Sequence, residues 1–269
     1  MPTVGWNKTA WDGRYDWKAE GEEWSRAWGG TDMEWFGTLL PRIHRFLPAS
    51  TILEIAPGFG RWTQFLKEWC HELIVVDLST QCIEACRKRF AGCSRITYHV
   101  NDGQSLAMIA DDSLDFIFSF DSLVHADEAV MTAYVSQLGR KLKKDGVAFL
   151  HHSNLGEYAH FLKLLKAPRP VRNLLRELGV LEQQLHARDF SMTAGKMRSL
   201  AHAHGLQCIS QEVIPWDTRR ALIDCISMLT RTGSVWAREN RIVHNAAFMK
   251  EASYLSEISR LYGHGAATS

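Results

Sequence analysis

Leu53-Glu54-Ile55-Ala56-Pro57-Gly58-Phe59-Gly60-Arg61 reads as a strand that runs into a glycine turn. A helix is expected over 61–70, because Trp62, Phe65, Leu66 and Trp69 share one stripe. Residues 72–77, Glu-Leu-Ile-Val-Val-Asp, follow as a near-continuous apolar strand, the mark of a parallel sheet covered on both faces. Glycines let the backbone approach a ligand closely, and the first N–H groups of a following helix can hold a negative group. Asp77 ends the second strand 17 residues after Gly60, where its carboxylate can accept two ribose hydroxyls. Thr63 stands where the dinucleotide fingerprint G-x-G-x-x-G has its third glycine, which argues against a pyrophosphate cofactor.

The same alternation continues on both sides. Strands are expected over 51–56, 95–100, 114–120 and 147–151, and helices over 80–90 and 127–143. Short links between them predict βαβ units and a doubly wound sheet, which binds ligands at the carboxyl ends of its strands. Residues 155–185 read as helical with breaks at Pro168 and Pro170. A helix over 193–204, strands over 206–214 and 221–229 and a helical tail over 236–262 complete the expectation. Six of the ten tryptophans lie in the first 50 residues among six glycines, without a clean period before Trp35. This organisation divides the chain into an aromatic cap or lid (1–50), a cofactor-binding core (51–155), a helical insert serving as acceptor lid (156–192) and the rest of the sheet with a last helix (193–269).

Composition narrows the function classes. In 269 residues, 46% are hydrophobic and the formal charge is +1, so disorder and a general attraction to nucleic acid are excluded. No stretch approaches the ~20 apolar residues of a membrane span, and the first residues lack the apolar run of a signal peptide. The six cysteines form no C-x-x-C pair and read as reduced thiols of a cytoplasmic protein.

After the third strand, Asn101-Asp102-Gly103-Gln104 supplies an acid suited to an adenine amino group. With this element, the sequence resembles the class I S-adenosylmethionine-dependent methyltransferases over residues 50–155. Glu54–Gly60, Val76-Asp77-Leu78-Ser79, Asn101–Gln104, Leu114–Asp121 and Leu142–Gly146 carry the resemblance. It implies a Rossmann-like, seven-stranded, mostly parallel sheet with S-adenosylmethionine as methyl donor and S-adenosylhomocysteine as product. It also implies roles. Gly58 and Gly60 pass under the methionine part of the donor, framed by Ala56 and Arg61, and Glu54 orders that loop. Asp77, beside Leu78, binds the ribose. Asp102, Gly103 and Gln104 contact the adenine, and Phe120 lies near the cofactor.

An alcohol acceptor needs a base near the end of strand four or five. His125 follows Phe120-Asp121 and is the first candidate, although a histidine there can also cap or pack. Strand five ends in His151-His152-Ser153-Asn154, and alternation sends one histidine toward the acceptor and the other away. His152, Asp121 and His125 are the catalytic candidates, with His151 and Asn154 as acceptor contacts. A divalent metal on Asp121, His125, His152 and Asn154 is a lesser reading. Trp11, Tyr15 and Trp28 are candidates to close over the cofactor, since indole faces attract a sulfonium and stack on sugar rings. Lys163, Lys166, Arg169, Arg172 and Arg176 form a basic stripe, with Lys163 and Arg169 as contacts for an anionic acceptor, or else a solvated face. The segments Glu182–Asp189 and Gln211–Asp224 resemble bacterial methyltransferases of polysaccharide and O-antigen clusters. The expected reaction is therefore O-methylation of a sugar hydroxyl or a sugar or glycan-end phosphate. The alternatives are O- or N-methylation of another small molecule, and a non-catalytic cofactor-binding subunit. Nucleic acid is not expected as a partner, and a homodimer is left open.

Overall fold

A computed structural model describes residues 3–159, 164, 167–177, 187–218 and 221–262. Eight strands form one sheet: β1 (Ala49–Ile55), β2 (Cys70–Asp77), β3 (Ile96–Val100), β4 (Leu114–Ser119), β5 (Leu142–Ser153), β6 (Leu206–Ile214), β7 (Asp224–Arg231) and β8 (Arg241–His244). Their order is β3-β2-β1-β4-β5-β7-β6-β8. β7 runs antiparallel to β5 and β6, and all other pairs are parallel. The order reverses direction at β1, so a crevice opens at the carboxyl ends of β1 and β4.

Alternate residues of the central strands feed two cores. Ile52, Leu73, Phe116 and Phe149 pack with Trp35, Ile83 and Phe248, while Leu53, Val76, Ile117 and Ala148 pack with Met131, Leu138 and Met197. The helices Thr80–Arg89 and Phe248–Tyr262 thus cover one face, and Glu128–Lys141 and Ala194–Ala203 the other. Burial of both faces is the reason that β1, β2 and β4 carry apolar residues almost without alternation.

Four sequence expectations require correction. The sheet has eight strands rather than seven. The tail over 236–262 is not one helix: Arg241-Ile242-Val243-His244 pairs with the outer edge of β6, and the helix begins only at Phe248. Two β-branched residues beside an open strand edge outweigh the helical pattern around them. The helix of 61–70 shortens to Thr63–Leu66 with a 3-10 turn at Lys67–Trp69, because the glycine turn takes up Arg61 and Trp62 and β2 already starts at Cys70. Pro170 does not break a helix. It lies in the first turn of Arg169–Glu177, where a missing N–H removes no intrahelical bond.

The N-terminal segment winds over the crevice in short turns, among them Val4–Thr9, Trp17–Ala19 and Glu22–Trp28. Gly29 and Gly30, at φ 88° and 136°, turn it into the helical run that begins at Thr31. Glu22 ties the segment down by accepting from Arg89 Nη2 (2.8 Å) and Gln64 Nε2 (3.1 Å).

Candidate active site at the carboxyl edge of the sheet

The turn after β1 is dictated by its backbone. Ala56, Gly58 and Gly60 have φ of 59°, 57° and 88°. A Cβ on Gly60 would lie 2.5 Å from the Phe90 ring, and one on Gly58 would lie 3.0 Å from the Trp17 ring. Gly60 therefore leaves no room for a side chain unless Phe90 shifts, and the positive φ favours glycine at both positions. The Gly58 N–H donates to Asp77 Oδ2 (3.3 Å), and the Ser79 N–H donates to Asp77 Oδ1 (2.8 Å). Asp77 thus joins the ends of β1 and β2, and its carboxylate still has lone pairs for a ligand hydroxyl. Burial pushes Asp77 up to about 6. Beneath the turn, Thr63 Oγ1 donates to Glu54 Oε2 at 2.6 Å, while the buried Glu54 Oε1 has no partner. Burial pushes Glu54 up to about 8, although the Thr63 hydroxyl opposes the shift. Thr63, which breaks the dinucleotide fingerprint, serves here to hold Glu54.

A cleft lies over this turn. Of the residues singled out for the cofactor, Ala56, Gly58, Arg61, Asp77, Leu78, Gly103, Phe120 and Trp11 line it. The cap also contributes Asn7, Trp17 and Trp24. Trp17 stacks flat on Phe59 with ring centres 4.3 Å apart, and its Nε1 donates to the Trp11 carbonyl (3.1 Å). Glu54 and Gly60 are not among the lining residues, and both belong to the floor below the turn.

Other candidates are placed differently. Asp102 is exposed, and its Oδ1 accepts the N–H groups of Gln104 (2.9 Å) and Ser105 (2.7 Å). It folds its own turn, and neither it nor Gln104 lines the cleft. Tyr15 donates its hydroxyl to Glu23 and stands one ring behind the lining, against Trp11, Trp17 and Trp24. Burial and Glu23 hold that hydroxyl well above its ordinary range. Trp28 is 1% exposed, gives Nε1 to Thr38 Oγ1 (2.9 Å) and packs on Trp216 and Phe248, which makes it an anchor of the cap.

The opposite wall comes from the loop after β4. Asp121 has φ 60°, and its Oδ2 accepts from Arg61 Nη2 at 2.9 Å. The Arg61 guanidinium lies over Trp62 (4.5 Å) and Trp24 (5.2 Å), a geometry that favours a cation on an indole face. Glu34, fully buried, sits 3.8 Å from Arg61, and burial pushes its carboxyl up to about 8. His125 lines the cleft, with Nδ1 3.0 Å from the Ala187 carbonyl oxygen. A carbonyl only accepts, so Nδ1 carries the proton and Nε2 the lone pair. Among the described residues Nε2 has no hydrogen-bond partner. Burial, reinforced by the Arg188 charge, pushes His125 down to about 4.

The histidines of β5 separate as alternation requires. His151 lies behind the cleft wall, its ring 4.6 Å from Phe120 and its Nδ1 accepting the Asp121 N–H (3.1 Å). His152 faces away and is buried between the Ser153 carbonyl (2.8 Å) and Ser227 Oγ (2.8 Å). Burial pushes it down to about 4. Asn154 holds the Ala194 N–H (2.7 Å) and the Leu222 carbonyl (2.9 Å), and so starts the helix Ala194–Ala203. The structure therefore brings Asp121 and His125 to the cleft but not His152 or Asn154. Among the described residues no group of three His, Cys, Asp or Glu is arranged for a metal. Lys163 and Lys166 lie outside the described residues, and Arg169 is exposed and not part of the lining. Arg188, Asp224 and Glu34 border the site without having been singled out for it. Burial works to raise Asp224, but Arg188 and then His151 overcome it and hold the carboxyl well below its ordinary range.

A family model for a methyltransferase domain matches residues 52–146, the segment that runs from β1 into β5. Comparison with curated proteins returns no match. Among solved structures, a protein of Pyrococcus horikoshii superposes with a TM-score of 0.55 at 18% identity, over 83% of this chain and 96% of its own. An S-adenosylmethionine-dependent methyltransferase of Methanosarcina mazei gives 0.53 at 16% identity, over 72% and 98%. The N-methyltransferase NodS of Bradyrhizobium japonicum gives 0.50 at 16%, over 75% and 96%. These identities establish a shared fold. The matched segment, which contains the glycine turn, Asp77 and the Asp121 loop that build the cleft, is by that match a methyltransferase domain.

Proposed function

We propose that the enzyme methylates a hydroxyl group on a small, neutral acceptor, with a sugar ring as the first reading. The cleft residues fit the donor: glycines that admit a close backbone approach, an acid at the end of β2, and indole faces for a sulfonium. In this reading Asp77 holds the ribose hydroxyls, Gly103 and Leu78 flank the adenine, and Phe120 and Arg61 border the methionine part. S-adenosylmethionine supplies an electrophilic methyl whose C–S bond breaks with its electron pair left on sulfur.

The observation that carries the acceptor side is His125. Its Nδ1–H is fixed on Ala187, so its Nε2 lone pair is available to take the acceptor hydroxyl's proton as that oxygen bonds the methyl carbon. Its depressed basicity keeps it unprotonated at neutral pH. Asp121 and Arg61 neutralise each other beside it. Trp11 and Trp24 offer flat apolar faces for a ring. Among the described residues that line the cleft the one Lys or Arg is Arg61, already paired with Asp121, which favours a neutral hydroxyl over a phosphate. No helix among the described residues is long and apolar enough to cross a membrane.

The test is a product-mass screen of the enzyme with S-adenosylmethionine against sugar, sugar-phosphate and phenol panels. A mass gain of one methyl on a neutral sugar is the expected result. Transfer only to phosphorylated sugars, or only to amines, overturns the acceptor assignment.

A further inference from the structure

We propose that Arg188 is a positioning residue of the acceptor half of the site: it holds Asp121 at the cleft and keeps the adjoining Ala187 carbonyl on His125. The proposal rests on the reading of His125 as the base.

Three consecutive residues at the exit of the insert touch the loop after β4. The Ala187 carbonyl accepts from His125 Nδ1 (3.0 Å). Arg188 Nη2 lies 3.6 Å from Asp121 Oδ1. The Asp189 N–H donates to the Val124 carbonyl (3.0 Å). Arg188 is the centre of this seam. It is 3% exposed, its Nε donates to Asp224 Oδ1 (3.1 Å) and its Nη2 to Asp224 Oδ2 (2.8 Å), and its guanidinium lies over Trp216 at 5.4 Å. Two-point binding to a carboxylate with a ring beneath is a geometry that Arg satisfies and Lys does not.

The anchor is itself tied to the loop. Asp224 Oδ2 lies 3.3 Å from His151 Nε2, and His151 Nδ1 accepts the Asp121 N–H. Asp121 is therefore held through its N–H by His151 and through its carboxylate by Arg61, with Arg188 on its other oxygen. Such a clamp explains how a non-glycine residue keeps φ at 60°, a conformation that otherwise relaxes. Ala187, at φ 52°, is the second strained residue of the seam, and its carbonyl selects the His125 tautomer. The charged groups around His125 are Arg188 from the insert exit, Asp121 from its own loop and Asp224 from β7, while the cap presents the uncharged Trp11 and Asn7.

The experiment is imidazole NMR of His125 in the full chain, read for tautomer and titration midpoint, with thermal melting as a folding control. The wild type is expected to hold the Nδ1–H form. In Arg188→Met the tautomers should mix and the midpoint should rise by at least about one pH unit, because a nearby positive charge is lost. Arg188→Met/Asp224→Asn removes the unpaired buried charge left by the single change and should show the same mixing in a better-folded protein. A His125 with unchanged tautomer and midpoint in these variants overturns the positioning role. Turnover of His125→Ala separates the two readings. Full turnover refutes the base, and the positioning role with it. Loss of turnover with an unmoved His125 in the Arg188 variants refutes the positioning role alone.

Discussion

The two walls of the cleft are built by different means. The wall at the ends of β1 and β2 is made of backbone: Gly58 and Gly60 turn at positive φ, and Asp77 receives two main-chain N–H groups. The wall at the end of β4 is made of side chains: Arg61, Asp121, Arg188, Asp224 and His151 hold one another across long sequence separations. The first wall suits a ligand of constant shape, since it is set by a few neighbouring residues. The second depends on pieces from five places in the chain. Removing one member of a buried ion pair leaves its partner charged and unpaired, whereas changing a turn glycine produces local strain.

This contrast can be broken by substitution. His125→Ala is expected to lower turnover by roughly 10²–10⁴-fold, the usual worth of a positioned base, with S-adenosylmethionine affinity within a few fold of wild type. Paired calorimetry and turnover measure both, and a parallel loss of binding would mean that the walls are not separable. Asp77→Ala should weaken S-adenosylmethionine by about 3 kcal/mol, roughly a hundredfold in Kd, because charge-assisted bonds to two hydroxyls are lost. Unchanged calorimetric binding would remove Asp77 from the donor site. Gly60→Ala should cost about 2 kcal/mol of stability through positive φ and the clash with Phe90, lowering Tm by several degrees. An unshifted melting curve would show that Phe90 gives way.

The smallest effect concerns pH, and the buried carboxyls and the buried histidines act in opposite directions. Glu54 and Glu34 rise from 4.5 to about 8 on folding. Their stabilising protonated state is fully present below pH 4.5 and is lost as pH rises through about 8. His125 and His152 fall from 6.5 to about 4, so their contribution is present above 6.5 and is lost as pH falls toward about 4. Glu54→Gln should flatten the decline on the alkaline side by about 1 kcal/mol. Tm measured from pH 4 to 9 tests this, and a wild-type profile without an alkaline decline counts against a protonated Glu54.

The glycine turn and Asp77 were legible because they are local: an apolar strand, two glycines and an acid within 25 residues, 53–77, specify one geometry. Asp102 closes its own turn, because a short acid followed by Gly-Gln-Ser finds main-chain N–H groups within reach, a local bond that the sequence did not distinguish from a ligand contact. Alternation along β5 assigned His151 and His152 to opposite faces, yet it carried no information on which face meets the cleft. β8 was hidden because four residues are too few for a period, and its pairing with β6 is decided by an open edge far away in sequence.

From residue order alone followed the alternating α/β plan, the tight turn after β1 and the acid at the end of β2, all products of backbone sterics and hydrophobic period acting over short distances. Only the folded chain decided which aromatic residues of the cap face the cleft, which histidine stands at it, and that Arg188 and Asp224, 36 residues apart, meet beside Asp121. Those pairings arise from burial, which makes a charge seek its counterpart wherever the packed sheet brings one within reach.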